Sequence, residues 1–133
     1  MAAELKKAKD SYVVMTELVL PNDTNLHGNL MGGRLMYWMD IAAYLAASKH
    51  CNCACMTASV DNLSFKSSIK LGNVICIEAI VTRAFNTSME VHLKVWNQNM
   101  IEQTRVLSNE AYFTFVALDE NKKPKAVPAV VAE

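Results

Sequence analysis

The hydrophobic positions of the chain form one early strand-like run, one long apolar segment and then four further strand-like runs. From Ser11 to Leu20, β-branched and aromatic residues dominate, which predicts a strand. Turn-forming residues follow at 21–25. The segment from Gly33 to Lys49 is rich in Leu, Met and Ala and contains no proline, which predicts one helix of about four to five turns.

The second half of the chain is a series of β-rich runs joined by short polar turns. The runs cover 55–65, 73–83, 88–96 and 105–118, and the predicted turns lie at 71–73, 85–87 and 97–99. This order is an α+β pattern in which an antiparallel sheet wraps one helix. We expect a domain over residues 11–118, a mobile or helical surface segment at 1–10 and a loosely held polar tail at 119–133.

The predicted helix is apolar on every face, so it must be buried all round. Four or five strands cover most of such a helix, but they leave part of it and some sheet edges unpaired. A symmetric partner supplies the missing cover most simply. We therefore expect at least a dimer.

Composition and charge limit the possible functions. The 133 residues carry 13 Lys and Arg against 13 Asp and Glu, a formal net charge of zero. This balance argues against electrostatic binding to nucleic acid or to an anionic membrane. Hydrophobic residues make up 52% and charged residues 20%, which favours burial of apolar surface in an oligomer.

The chain shows neither a membrane span nor a secretory signal. The longest nearly apolar stretch, 35–47, falls short of the roughly 20 residues that a span needs, and a charged residue interrupts it. No apolar run follows the N-terminal lysines. We expect a cytoplasmic protein whose cysteines are reduced thiols. The close spacing of Cys51, Cys53 and Cys55 does not suit a metal site, and the fourth cysteine is Cys76.

Asp40 is the most informative residue, because it lies about two turns into the apolar helix. An ionised carboxylate in such surroundings is costly without compensation, and no cation lies three or four positions away on the helix. One interpretation is a structural residue that accepts hydrogen bonds from Tyr37, Tyr44 or a distant backbone amide. The other is a catalytic carboxylate that acts as a base in an enclosed cleft. The residue pattern favours the second.

Gly32 and Gly33 precede the apolar segment and would leave free backbone N–H groups at the positive end of the helix. Such groups can bind a carbonyl oxygen that develops negative charge, although the alternative is a simple tight turn and a lone Gly-Gly pair is a weak signal. Asp40 lies about 10 Å along the helix from Gly33. One carbonyl does not easily reach both, so we expect a two-fold partner to supply one of them if both act on one substrate.

Further polar residues are weaker candidates. Asn25 can orient a water molecule or a carbonyl group, but an Asx turn is the commoner reason for Asn in such a loop. His27 can act as a general base, although an exposed loop residue is the better interpretation. Several polar residues at strand ends can meet phosphate groups, and each alone is usually a solvated surface residue: Lys66, Lys70, Arg83, Thr87 and Ser88.

An ordered set of motifs carries a family resemblance. It consists of Asp23-Thr24-Asn25, Gly28, Gly32-Gly33, Met39-Asp40, residues 60–65, residues 87–91 and Val95-Trp96. In this order the motifs resemble the acyl-CoA thioesterases of the hotdog fold, in particular the bacterial acyl-CoA hydrolases and the repeats of their animal cytosolic relatives. The resemblance extends over about residues 11–118.

The resemblance implies a long helix wrapped by an antiparallel sheet, a dimer with a continuous sheet, often assembled into a hexamer, and hydrolysis of acyl-CoA without a cofactor or metal. It implies that Asp40 activates water or attacks the thioester, and that Asn25 of the opposite subunit helps to place the water or carbonyl. A backbone N–H of Gly33 would bind the carbonyl oxygen, next to Gly32. Further residues would line the site or contact the CoA phosphates: Thr57 and Ser59, and Arg83 and Ser88.

One departure and two rival functions remain. The family's Phe-x-x-Pro reads Phe65-Lys66-Ser67-Ser68 here, without the proline, in the loop at the CoA entrance. A hotdog-fold hydroxyacyl-thioester dehydratase would need His27 paired with Asp40, but the chain lacks the proline-rich loop of those enzymes. A non-catalytic acyl-CoA binding module would have no use for a buried Asp40.

Overall fold

The computed structural model describes residues 6–61, 63–65 and 67–131, which fold as a five-stranded antiparallel sheet packed on one helix. The helix α1 spans Gly32–Cys51. The strands are β1 Lys6–Lys7, β2 Val13–Leu18, β3 Ala54–Asp61, β4 Val74–Ala84, β5 Ser88–Asn99, β6 Thr104–Leu118 and β7 Val130–Val131, with short 3-10 helices at Ala8–Ser11 and Pro21–Asp23. The predicted α+β class and antiparallel wrapping are confirmed. Residues 1–5, 62, 66, 132 and 133, which include the first half of the expected N-terminal segment, lie outside the described residues.

The main sheet has the strand order β2-β4-β5-β6-β3, and every neighbouring pair is antiparallel. Alternate residues of the three central strands are buried beneath α1, and between them lie half-buried residues of the outer face. Both β2 and β3 are edge strands in the single chain. The strand β3 leaves the helix after a short turn and therefore carries its side chains close to the C-terminal half of α1.

The helix packs on the sheet through small residues, and the rest of its surface stays open. Four alanines of α1 are fully buried, which allows the helix backbone to approach the sheet closely: Ala42, Ala43, Ala46 and Ala47. The opposite side exposes large apolar side chains: Met36, Tyr37, Tyr44 and Leu45. The sheet of the single chain therefore covers only part of this helix, as expected from the number of strands. No helix in the described part of the chain is long and apolar enough to cross a membrane.

The turn between β5 and β6 lies later than predicted. The sequence predicts a turn at 97–99, but β5 continues to Asn99, and residues 100–103 make the turn. The side-chain oxygen of Asn99 accepts the backbone N–H groups of Ile101 and Glu102 at 3.1 and 3.0 Å. Asn97 is held inside the ladder, where its side-chain oxygen accepts a hydrogen bond from Asn73 at 3.0 Å. Asn99 thus caps the turn from the end of β5, and neither Asn97 nor Asn99 lies in the turn itself.

Both ends of the described chain pack against the domain: the N-terminal segment forms a short 3-10 helix at Ala8–Ser11, one of the two alternatives expected, and the C-terminal tail is held more tightly than expected. β1 pairs with β7 in a parallel two-stranded sheet. The buried Ser11 hydroxyl accepts the backbone N–H of Val81 at 2.8 Å. The buried ring of His50 donates from Nε2 to the carbonyl of Pro128 at 2.6 Å, and burial lowers the pKa of His50. Polar residues therefore hold these ends through bonds that hydrophobic periodicity does not reveal.

The expectation of four reduced thiols is wrong for two of them. Cys51 and Cys53 form a disulfide, because the left-handed residue Asn52 ends the helix and brings their Cα atoms to 5.3 Å. Cys55 and Cys76 are free thiols. Burial raises the pKa of Cys55, and the nearby charge of Asp40 adds to this rise. Cys55 is therefore a thiol at neutral pH and a poor nucleophile.

Candidate functional site

Asp40 projects from the middle of α1 towards β3, where it meets Thr57. The Thr57 hydroxyl donates a hydrogen bond to Asp40 Oδ1 at 2.7 Å, and both residues are half-buried. The ion pairs Arg34–Asp23 and His92–Glu110 do not involve Asp40, whose hydrogen-bond partner among the described residues is the neutral hydroxyl of Thr57. One carboxylate oxygen is thus fixed by a neutral donor. Such a carboxylate can accept a proton or attack a carbonyl carbon through its second oxygen.

A β-bulge follows Thr57 and separates it from Ser59. Thr57 pairs with the buried Phe115, whereas Ser59 pairs with Thr114 of the outer face, so Ala58 is the extra residue. Ser59 is exposed and lies on the sheet face opposite to Thr57. In the single chain Ser59 is therefore not next to the Asp40–Thr57 pair, and its assignment to the site stays a prediction. Residues two apart on a regular strand share a face, and the bulge reverses this for Ser59.

Asn25 lies in the loop that precedes the helix, where its side chain shapes the backbone. The side-chain oxygen accepts the backbone N–H groups of His27 at 2.9 Å and of Asn29 at 3.2 Å, which is the Asx turn considered above. The loop is tied to the segment after β3, because the N–H of Leu30 donates to the carbonyl of Ile69 at 2.7 Å. The carbonyl oxygen of the Asn25 amide is therefore engaged, while its NH₂ group is a donor at the exposed end of the side chain. His27 is exposed, as expected.

The N-terminus of α1 provides unencumbered backbone donors. Met31 precedes the helix and gives no side-chain cap. Gly33 is exposed, and a Cβ atom built there would meet nothing within 4 Å. Gly32 is tighter, because its added Cβ would lie 3.2 Å from Cζ of the Phe65 ring. The first turn therefore has the N–H groups that a polarised carbonyl oxygen requires.

A cleft of about 380 Å³ opens between this helix end and the loop after β3. Its lining consists of Asn25, Asn29, Leu30, Gly32, Leu35, Phe65, Ser67, Ser68, Ile69 and Asn109. Two residues predicted for the site, Asn25 and Gly32, are in this lining. Phe65 and Asn109 were not predicted as site residues. The sequence could have indicated Asn109, because Ser108 and Asn109 are successive polar residues that interrupt the apolar alternation of β6.

Five of the eight predicted site residues fall into two separate groups in the single chain. One group, at the cleft and helix N-terminus, contains Asn25, Gly32 and Gly33. The other is the Asp40–Thr57 pair, which lies about 10 Å further along α1 from Gly33. The chain itself does not bring these groups into one cleft.

Arg83 and Ser88 lie at the turn between β4 and β5. The Arg83 guanidinium is exposed and stacks over the ring of Phe85, with Cζ 5.2 Å from the ring centroid. Ser88 is half-buried at the start of β5, opposite Val116 of β6, which also pairs with Met56 of β3. Both residues thus lie at the sheet end that carries the start of β3. Among the described residues, no group of three or more His, Cys, Asp and Glu side chains is arranged to hold a metal ion.

The amino-acid sequence is similar to those of known thioesterases. Residues 27–103 match the model of the Thioesterase superfamily. The chain is 42% identical over 130 residues to the uncharacterized acyl-CoA thioester hydrolase YkhA of Bacillus subtilis, and the match covers 98% of this chain and 76% of that protein. It is 38% identical over 121 residues to the cytosolic acyl coenzyme A thioester hydrolase of Mus musculus, covering 90% of this chain but 32% of the mouse protein.

Solved structures share the whole fold. An acyl-CoA hydrolase from Staphylococcus aureus in complex with butyryl coenzyme A, coenzyme A and coenzyme A disulfide is 36% identical, with a TM-score of 0.92 over 97% of this chain and 79% of that one. An apo-hexameric acyl-CoA thioesterase is 41% identical, with a TM-score of 0.94 over 98% of this chain and 83% of that one.

Three solved alanine variants of the Staphylococcus aureus enzyme replace one asparagine, one aspartate and one threonine. These three residues are separated along that chain by the same intervals as Asn25, Asp40 and Thr57 here.

Proposed function

The chain belongs to the Thioesterase superfamily and has the hotdog fold, and from this premise we propose that it is an acyl-CoA thioester hydrolase. Water adds to the acyl carbon, the carbon–sulfur bond breaks, and the products are a free fatty acid and the coenzyme A thiol. The observation that carries the proposal is the half-buried Asp40 carboxylate, whose hydrogen-bond partner among the described residues is the neutral hydroxyl of Thr57. Water is the only co-reactant, so we expect no cofactor and no metal.

Asp40 acts as general base or as nucleophile in this proposal. Thr57 binds Oδ1 and thereby orients the carboxylate, which leaves Oδ2 for the reaction. As a base, Oδ2 removes a proton from the attacking water. As a nucleophile, it forms an acyl–carboxylate anhydride that water then hydrolyses. In both routes the developing negative charge on the thioester oxygen is stabilised by the N–H of Gly33 at the positive end of the helix.

The active site is composite, with Asn25, Gly32 and Gly33 from one subunit and Asp40 from the other. The distance of about 10 Å between Gly33 and Asp40 along one helix supports this arrangement, because one thioester does not span it. Exposed apolar surface supports a second copy: Tyr37 on α1 is 58% exposed and Met56 on the open edge of β3 is 54% exposed. The hexameric relative supports a trimer of such dimers.

Arg83 and Ser88 bind the phosphate groups of coenzyme A in the assembled protein. The exposed guanidinium of Arg83 supports this role, because it can bind an anion while the ring of Phe85 holds it in place. The relative bound to coenzyme A supports this class of ligand. The cytosolic mouse relative supports a cytoplasmic location. We propose no nucleic-acid or membrane partner, since the formal net charge is zero.

The test is thiol release from acyl-CoAs of short to long chain length, with Asp40→Asn beside the wild type. Asparagine keeps the shape and removes the charge and the basicity. We expect the wild type to hydrolyse at least one substrate and the variant to lose at least about a hundredfold in kcat while it keeps its assembly and melting temperature. A folded wild type that binds acyl-CoA but releases no thiol would reject the proposal in favour of a binding module. Equal rates for both proteins would reject Asp40.

A further inference from the structure

Phe65 contacts the first residue of α1 from a segment without regular structure. β3 ends at Asp61, and the described residues 63–65 and 67–69 lie outside strands and helices. The Phe65 ring is 52% exposed, yet its Cζ and Cε2 atoms lie 3.2 and 3.3 Å from where a Cβ of Gly32 would be. This close contact is possible because glycine has no side chain. The ring therefore lies directly against the helix turn that carries the Gly32 and Gly33 N–H groups.

Asn109 holds this segment in place. A bulge in β6 makes Ser108 an extra residue between the pairs of Val95 with Asn109 and Trp96 with Leu107. Both Ser108 and Asn109 are therefore buried, with Asn109 only 4% exposed. The Ser108 hydroxyl donates to Asn109 Oδ1 at 2.9 Å, and Asn109 Nδ2 donates to the carbonyl of Ser64. The hydrogen bond from Ser108 thus orients the side-chain amide of Asn109, and the hydrogen bond to Ser64 holds the residue that precedes Phe65.

We propose that Asn109 is a positioning residue that acts through Phe65 to fix the first turn of α1 for binding of the thioester carbonyl. The inference rests on the proposed hydrolase function. On one side this turn is held by Asp23, which pairs with Arg34 at 3.3 Å and accepts the N–H of Met31 through its carbonyl at 3.0 Å. On the other side the contact is the Phe65 ring. Met31 gives no side-chain cap, so backbone N–H groups of this turn stay free for substrate. The Phe65 ring fixes the position of these N–H groups.

Hydrogen exchange of the intact protein tests the positioning directly, whether or not a substrate is turned over. The variants are Asn109→Ala and Phe65→Ala. Asn97→Ala is the matched control, because it removes a similar hydrogen bond between Asn73 and Asn97 away from the cleft. We expect the amides of Arg34 and Leu35, which donate to the carbonyl of Met31 in this turn, to exchange about tenfold faster in both cleft variants and at the wild-type rate in the control. Unchanged exchange in the cleft variants overturns the inference. Should Asn109→Ala fail to fold, the half-exposed Phe65→Ala decides alone.

Steady-state kinetics then test the consequence for the reaction. If the backbone N–H donors of the first turn of α1 are displaced, they bind the transition state less tightly. We therefore expect kcat to fall about ten- to a hundredfold in each single variant, with KM changed less than about threefold. Because Asn109 acts through Phe65, the double variant should be no slower than the slower single variant. Multiplying losses, or equal losses in Asn97→Ala, overturn the inference. A wild type without hydrolase activity rejects the proposed function instead, and hydrogen exchange still decides the positioning.

Discussion

Replacing Thr57 by valine removes one hydroxyl from the site and leaves its volume almost unchanged. The hydroxyl donates to Asp40 at 2.7 Å, and a hydrogen bond to a charged group contributes about 1.5–3 kcal/mol. If all of this free energy stabilises the transition state, its loss lowers the rate by a factor of about ten to 150. Thr57 is only half-buried, so water partly replaces the lost donor, and the lower end of the range applies. We expect kcat of Thr57→Val to fall about tenfold with little change in KM.

The assay is steady-state thiol release with the best acyl-CoA, together with thermal unfolding of each variant. Thr57→Ser keeps the donor and should retain most of the wild-type kcat. Thr114→Val is the matched control, because Thr114 is also half-buried in the sheet but faces away from α1. A wild-type kcat for Thr57→Val, within about threefold, would refute the orienting role. An equal loss in Thr114→Val would show that the sheet, not the hydrogen bond, is responsible.

Three further predictions follow from the same geometry. Mixing inactive Asp40→Asn and Asn25→Ala subunits under conditions of exchange should restore about a quarter of the wild-type sites, measured by thiol release; no recovery would argue against a shared site. Burial lowers the pKa of His50, so the unfolded chain binds a proton that the folded chain does not, and the melting temperature should fall as pH drops below about 6.5. His50→Gln should flatten this dependence, and an unchanged slope would contradict it. Gly33→Ala should raise the melting temperature, since glycine within a helix costs about 0.5–1 kcal/mol relative to alanine, whereas Gly32→Ala should lower it through its 3.2 Å contact; the opposite order would contradict the packing.

Local patterns predicted most of the fold and the central residue of the site. The helix was expected at 33–49 and is found at Gly32–Cys51, because an uninterrupted run of helix-forming residues needs no tertiary information. Asp40 was identified because a single carboxylate within an apolar helix costs free energy unless it has a function or a partner, and the sequence alone shows its apolar neighbours. Its partner Thr57 could not be derived from helix spacing, since the contact joins residues 17 apart on two different elements.

Two features of the candidate site depend on pairing between strands, which one sequence does not reveal. Strand alternation places Thr57 and Ser59 on one face, but the bulge at Ala58 reverses the second residue. A bulge at Ser108 likewise turns two successive polar side chains inward and creates the tether of the Phe65 segment. A single sequence does not show where a partner strand lacks a matching residue. Residues such as Ser108 and Asn109, which break the alternation, are where such bulges should be sought.

The spacing of Gly33 and Asp40 also fixes how two copies must meet in the proposed dimer. Seven residues are close to two helical turns, so the two positions lie on the same face of α1 about 10 Å apart. A two-fold axis perpendicular to the helix, midway between them, exchanges their places and sets each Asp40 opposite the Gly33 of the partner copy. That midpoint falls at Met36 and Tyr37, both of which are large, apolar and exposed in the single chain. The same helix face therefore supplies both the chemistry and the apolar contact, which explains why a helix this apolar is left half uncovered by its own sheet.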